Sequence, residues 1–260
     1  MSLFDYITDP ISEKLYNIYS KKGNKILELY ATFDKSDLKF NYKHDHYIFG
    51  YGSLLLKESR NQTITSDDCI PVVLKGYKRY WGKHTTYKKK FSYSALAIKK
   101  TGNKFDKVNG ILLKLNPTQM SKLDSREKGY NRVILNKKNI IDFNNKNNLN
   151  LNNSIIWSYT LDKIEIPNNK YPIIQSYLDY CILGALRISN RFAKLFIKST
   201  FPRENALLHW NNDRLHPIRF DYKIDKKNVK KIDKLLEDNL LLFDYRKCVD
   251  PVKNIQNNSI

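Results

Sequence analysis

From Tyr47 to Leu161 the chain reads as six short runs rich in β-branched and aromatic residues, and only one gap between them carries a helical pattern. The runs are 46–50, 70–80, 92–99, 108–115, 130–136 and 155–161, each bounded by Gly, Asn, Lys or Pro. A doubly wound parallel sheet needs a crossover helix between most of its strands, so that architecture is excluded. The order helix, strands, helix, strands, helices instead predicts an α+β fold, a small barrel or sheet flanked by helices. The one interrupting helix has clear ends. Asn116 suits an N-cap, Pro117 the first helical position, and Gly129 the residue just past the end.

Helical spacing returns on both sides of this block. Ile11, Leu15, Ile18, Tyr19, Ile26, Leu29 and Tyr30 predict an N-terminal helical extension over residues 1–45, broken at Gly23. After a strand-rich domain at 46–165 comes a helical region at 166–260, packed on it. There Ile174, Tyr177, Leu178, Cys181, Ile182, Ala185 and Leu186 form an apolar stripe. A Ser189-Asn190 pair caps a second helix, 209–219 is irregular, and a basic helix runs over about 226–240. The Asn-rich stretch at 144–153 is expected to be a flexible loop.

Hydrophobic residues at 41% supply a core and rule out wholesale disorder. Lys and Arg number 46 against 26 Asp and Glu, a net charge of +20 that invites an anionic partner. Lys far outnumbers Arg, however, and Asn is equally over-used, a pairing that reads as coding bias. Three scattered cysteines, Cys69, Cys181 and Cys248, give no disulfide framework or CxxC pair and suit a reducing, cytoplasmic setting. The first ten residues lack a signal core, and no apolar run approaches the roughly 20 residues of a spanning helix. No membrane partner is expected.

Two segments could carry chemistry. FGYGSLL at 49–55 follows a hydrophobic strand, and its glycines let backbone approach a ligand closely. Consecutive N–H groups in such a turn can hold a carboxylate or an oxyanion. It is not GxGxxG, because Leu55 stands where the third glycine belongs, nor a P-loop, nor a GxSxG elbow. Ser53 is therefore read as a hydrogen-bond donor; the plain alternative is a tight strand-exit turn. In LDSREKGY at 123–130, Glu127 shares a helix stripe with Met120 and Leu123. Lost hydration and the negative end of the helix dipole both raise the pKa of such a carboxylate, as does Asp124 if ionised. A Glu tuned upward suits general acid/base work. The alternative is an ion pair with Arg126, Arg132 or another basic residue.

The five histidines show no metal-ligand spacing, and no metal is expected. The run KRYWGKHTTYKKKFSYS (78–94) interleaves aromatic and basic residues as a nucleic-acid surface would. It reads equally as two strands joined by a lysine-rich hairpin, and no RRM, KH or zinc-finger pattern supports a nucleic-acid partner.

Together, FGYGSLL after the first strand and LDSREKGY after a strand reading NGILLKL resemble the γ-glutamylcyclotransferase-like family. Leu54 and REKGY are nearer its ChaC-like and plant or microbial members than the mammalian type, although the glycine-rich C-terminal signature of the ChaC-like branch is missing. The resemblance implies a small closed mixed β-barrel, no cofactor, and release of 5-oxoproline from a small γ-glutamyl substrate such as glutathione, a γ-glutamyl amino acid or a γ-glutamylamine. It implies Glu127 as general acid/base and Ile48, Phe49, Gly50, Tyr51, Gly52, Ser53 and Leu54 as the substrate-binding segment. Residues from 78–94 or 209–219, with Arg79, Trp210 and Arg214 as candidates, are expected to read the leaving amine. Two readings compete with catalysis: a non-catalytic binding module of the same fold, and a basic nucleic-acid-associated protein. Oligomeric state has no signature in the sequence.

Overall fold

Strand β1 (Asp45–Gly50) lies inside a sheet because both its faces are apolar: Ile48 and Phe49, on opposite faces, are both buried. The structure, a computed structural model, describes residues 44–66, 68–88, 90–144, 149–200, 209–219, 223–240 and 246–248. The N-terminal extension up to Lys43 and residues 145–148 of the Asn-rich loop lie outside them. After β1 come a single helical turn at Ser53–Leu55, a short helix α1 (Lys57–Arg60), and strands β2 (Ile70–Lys75), β3 (Tyr77–Tyr87), β4 (Phe91–Lys100) and β5 (Lys107–Leu115). Helix α2 (Pro117–Arg126) precedes β6 (Asn131–Ile134), β7 (Ile140–Asp142) and β8 (Ser154–Thr160).

Six strands form a mixed sheet in the order β6-β8-β1-β5-β2-β7. β1 runs antiparallel to β5 and parallel to β8, with Ile48 opposite Leu113 on one side and Trp157 on the other. The α+β class and mixed pairing stand; the closed barrel does not. Among the described residues no sheet closes on itself, and β6 and β7 are the edges of the six-stranded sheet. The physical reason sits at Gly76, whose φ of +78° is open to glycine and strained for other residues. It splits the strand expected at 70–80. β2 stays on β5, whereas β3 departs and pairs only with β4, as a separate two-stranded sheet. The 78–94 run is thus the hairpin of the plainer reading.

Helix α2 is capped as expected and more fully. Asn116 Oδ1 accepts from Gln119 N, and Gln119 Oε1 accepts from Asn116 N, both at 2.9 Å. Gly129 takes φ +85° just beyond the end. Met120 and Leu123 bury the inner face.

After Pro172 come β9 (Ile173–Ile174), α3 (Gln175–Ile188), α4 (Asn190–Thr200), β10 (Trp210–Asn212), α5 (Lys226–Glu237) and β11 (Lys247–Cys248). Ser189 Oγ accepts from Phe192 N at 3.1 Å and so caps α4. Helix α3 packs against the segment after β1. A Cβ on Gly184 would stand 2.5 Å from Leu55 C and from Leu56 N, so only glycine admits this approach. α5 buries Ile232, Leu235 and Leu236 and turns its lysines to solvent. Among the described residues no helix is long and apolar enough to cross a membrane. All of these elements belong to one compact unit, Tyr42–Ile260.

Candidate active site

The turn after β1 is a close-packed piece of backbone. Leu55 N donates to Gly52 O at 3.0 Å and Leu56 N to Ser53 O at 3.2 Å. The N–H groups of Gly52, Ser53 and Leu54 precede these donors and lie outside the turn's own bonding. A Cβ on Gly52 would come within 3.2 Å of Tyr177 Oη, so a larger residue would press into α3. Gly50 similarly lies against Leu54, 3.0 Å from a Cβ to Leu54 Cβ. Ile48, Phe49, Tyr51 and Leu54 are buried, with Ser53 half-buried among them. Phe49 packs over Gly110 of β5, whose Cβ would stand 2.5 Å from the ring. Tyr51 Oη donates to Tyr159 O at 2.7 Å.

Glu127 terminates α2. Its N–H donates to Leu123 O at 2.8 Å, and its backbone at φ −93°, ψ 33° has left the helix. The side chain keeps 20% of its exposure, dry enough to feel its neighbours and open enough to reach a ligand. Its charge registers on the tyrosines around it. Burial pushes Tyr51 well above the ordinary phenol value, and the Glu127 carboxylate pushes the same way. Tyr130 and Tyr159 are also raised, by burial first, with Glu127 a contributing charge on each. Asp124 is held elsewhere, accepting from Arg132 Nη1 at 2.6 Å and from Tyr159 Oη at 2.9 Å.

One guanidinium joins the two segments. Arg126 Nε lies 3.3 Å from Glu127 Oε1, while its Nη2 donates to Ser53 Oγ at 3.0 Å. Nη1 of the same group donates to Ser59 O at 2.9 Å and to Thr63 Oγ1 at 3.1 Å. The ion pair expected as the plain alternative for Glu127 is therefore present, made with Arg126. Arg132 is occupied by Asp124. The pairing leaves the carboxylate partly exposed. Ser53, expected to donate, accepts from Arg126.

Tyr177 of α3 and Leu96 of β4 lie beside Gly52 of the turn. Leu96 N donates to Tyr177 Oη at 3.4 Å, and Tyr130 Oη donates to Leu96 O at 2.8 Å, so one residue of β4 anchors two tyrosines. A bulge between Trp81 and Lys83 brings Lys83 Nζ to 5.9 Å from the Tyr130 ring.

The three candidates for the leaving amine are placed otherwise. Arg79 is buried, its guanidinium bonded to the Asn109 carbonyl, Ser199 Oγ and Thr200 Oγ1 and 4.2 Å over the Phe196 ring. Burial pushes its pKa down to about 9. Arg214 is clamped between Asp179 and Asp233 at 2.7–2.8 Å. Trp210 is buried in β10. All three hold the fold together. Cys181 is buried too, its thiol pushed up to about 12, the opposite of an activated nucleophile. Tyr177 and Gly184 are the residues sequence reasoning missed. An isolated glycine inside the apolar helical stripe was the available signal for the second.

A family model described as gamma-glutamyl cyclotransferase, AIG2-like, matches residues 48–177, half of the chain. Among solved structures, a gamma-glutamyl cyclotransferase is 16% identical with a TM-score of 0.46, covering 73% of this chain and 99% of that one. An uncharacterized protein from Homo sapiens is 15% identical, with a TM-score of 0.44 over 73% of this chain and 98% of that one. A yeast cyclotransferase specific to glutathione is 13% identical, with a TM-score of 0.37 over 78% and 97%. No curated protein matches. The matched span begins at Ile48 in β1, takes in the turn, Arg126, Glu127 and the β3–β4 hairpin, and ends at Tyr177. On that match the chain belongs to the gamma-glutamyl cyclotransferase, AIG2-like family.

Proposed function

We propose that the protein is a γ-glutamylcyclotransferase that releases 5-oxoproline from glutathione or another small γ-glutamyl compound, with Glu127 as general acid/base. The observation that carries this reading is the single Arg126 guanidinium that holds both Ser53 of the glycine-rich turn and the Glu127 carboxylate.

The chemistry needs a base, an oxyanion site and a folded substrate. Glu127 takes a proton from the substrate α-ammonium, and the freed amine attacks the γ-carbonyl carbon of the same molecule. A carbon–nitrogen bond forms, and the carbonyl oxygen becomes an oxyanion. The N–H groups of Gly52, Ser53 and Leu54 are the donors for that charge. The bond to the leaving amine then breaks as Glu127 returns the proton to its nitrogen, while the ring nitrogen, left with two hydrogens by the attack, gives up one of them, which the released amine takes up as it becomes an ammonium. Nucleophile and electrophile share one chain, so holding the γ-glutamyl group curled against the turn supplies much of the acceleration. Tyr51 and Tyr130, their phenol pKa values raised by burial, stay neutral beside Glu127, each donating its proton to a backbone carbonyl.

The test is 5-oxoproline release from glutathione, γ-Glu-Ala and ε-(γ-glutamyl)lysine, with wild type and Glu127→Gln side by side. Product from the wild type alone supports the reading. Equal product from both keeps the reaction and removes Glu127 from it. A folded wild type with no product on any of the three overturns the proposal in favour of a binding module.

A further inference from the structure

We propose that the loop between β4 and β5, with the lysines around it, is a docking surface for an anionic lipid membrane, which would hold the protein at the bilayer surface without a spanning helix. The surface is built round Gly76. Its N–H donates to Asp106 O at 2.8 Å, and Thr101 N donates to Gly76 O at 2.9 Å, so both ends of the loop are tied to the point where β2 passes into β3. Six exposed lysines meet there: Lys75, Lys78, Lys99, Lys100, Lys104 and Lys107. Four of them stand as pairs directly opposite each other, Lys75 with Lys107 across β2 and β5, and Lys78 with Lys99 across β3 and β4. Like charges in that register destabilise a sheet. Asp106 is the one acid in residues 75–78 and 99–107, and its carboxylate lies 3.6 Å from Lys78 Nζ. An overall excess of lysine sets how many there are; placing them opposite one another has a cost that an anionic surface offsets.

Phe105 adds the apolar part. It is 78% exposed, outside any core, yet its backbone is fixed. Phe105 N donates to Asn103 Oδ1 at 3.0 Å and Asp106 N to Asn103 O at 3.1 Å. Lys104 Nζ lies 5.3 Å from the centre of its ring. An aromatic ring can enter the boundary between headgroups and acyl chains while the ammonium groups beside it meet anionic headgroups. Either signal alone holds weakly, and lasting attachment takes both. Paired strand positions are about 5 Å apart, inside the roughly 8 Å screening length of physiological salt, so these charges act on a surface together. Single-stranded nucleic acid is the other polyanion to weigh. Its binding favours several stacked rings and arginine forks, whereas residues 75–78 and 99–107 hold no arginine, and Tyr77, the other ring among them, is buried.

Co-sedimentation of the full chain with vesicles tests this, using phosphatidylcholine alone and phosphatidylcholine with about 30% phosphatidylserine. Wild type is expected to bind the anionic vesicles, to leave them as NaCl rises to about 0.5 M, and to ignore the neutral ones. Phe105→Ser and, separately, the double variant Lys99→Gln/Lys100→Gln are each expected to weaken binding about tenfold. Lys230→Gln/Lys231→Gln removes the same charge from exposed positions of α5 and is expected to change binding by less than about twofold. No binding to anionic vesicles, equal binding to neutral ones, or wild-type binding by Phe105→Ser overturns the proposal. So does a loss from the α5 pair as large as from the loop pair, which would show net charge at work. Binding of a labelled single-stranded RNA that the loop variants weaken, with no affinity for vesicles, overturns it in favour of nucleic acid. Circular dichroism checks that each variant folds. Should the lysine pair fail to fold, Phe105→Ser, altered at a ring that packs in no core, decides alone: about a tenfold loss sustains the surface and unchanged binding overturns it.

Discussion

Arg126 Nη2 donates to Ser53 Oγ at 3.0 Å across 73 residues of chain, and Nε of the same guanidinium sits 3.3 Å from Glu127 Oε1. The end of α2 and the turn after β1 are therefore positioned by one planar, rigid group. A fork of this kind fixes direction as well as distance, which a lysine ammonium does not.

Arg126→Lys keeps the charge and loses the fork. It cannot serve Ser53, Ser59, Thr63 and Glu127 together, so we expect a loss of about 1–3 kcal/mol of stability. We also expect a fall of about tenfold in kcat from misplacement of the carboxylate. Denaturant unfolding and steady-state kinetics on the same preparation check both. An unchanged kcat would show that the link is structural only.

Gly184→Ala sets a helix-forming residue against a steric clash. The substitution gains about 1 kcal/mol of helix propensity. Its Cβ would stand 2.5 Å from two backbone atoms of Leu55 and Leu56, which have no rotamer to change. Overpacking costs about 1–3 kcal/mol, so the net sign is destabilising, and the shifted turn should lower 5-oxoproline release as well. A melting temperature at or above wild type would contradict the packing argument.

Gly129→Ala acts through backbone alone. At φ +85° a Cβ costs about 1 kcal/mol. The atom it would meet, Lys83 Nζ at 2.7 Å, is the far end of a flexible side chain and can move away. Gly129→Asn should lose less, because Asn tolerates the left-handed region. Thermal melts of the two variants that failed to rank in this order would sink the explanation.

Glu58 and Arg187 clamp α1 to the last turn of α3. The hydrogen bond from Arg187 holds the Glu58 carboxyl below its ordinary value. A lowered folded pKa means that the stabilisation is present above the unfolded glutamate pKa of about 4.3 and is lost as pH falls through the folded value. Both side chains are more than a third exposed, at 40% and 34%, or close to it, so solvent screening limits the pair to about 0–1 kcal/mol. Glu58→Gln should therefore cost up to that amount at pH 7 and nothing well below pH 4. A larger gap at acid pH would reverse the sign and refute the assignment.

Much of the architecture was legible because it depends on neighbours in sequence. Asn116, Pro117 and Gly129 bound α2 by local capping and backbone freedom. The strand runs lie where β-branched and aromatic residues cluster, and the 78–94 segment is a hairpin whose rungs pair residues near in sequence. FGYGSLL and LDSREKGY each pointed to chemistry for a local reason, glycine permissiveness in one and a carboxylate on an apolar stripe in the other.

Tertiary structure alone decided how these pieces meet. The break at Gly76 sends β3 away from β5 and leaves the sheet open, a consequence of one positive φ that a run of apolar letters conceals. Arg79 and Arg214 are candidates in sequence for reading the leaving amine, but folding gives one a cage of carbonyl and hydroxyl oxygens and the other two carboxylates. Lys75 and Lys107 carry no motif, and their pairing depends on β2 lying against β5. Periodicity and caps are set by residues within about a turn of one another. Ion pairing and burial are set by which distant segments pack together, and that information resides in the whole fold.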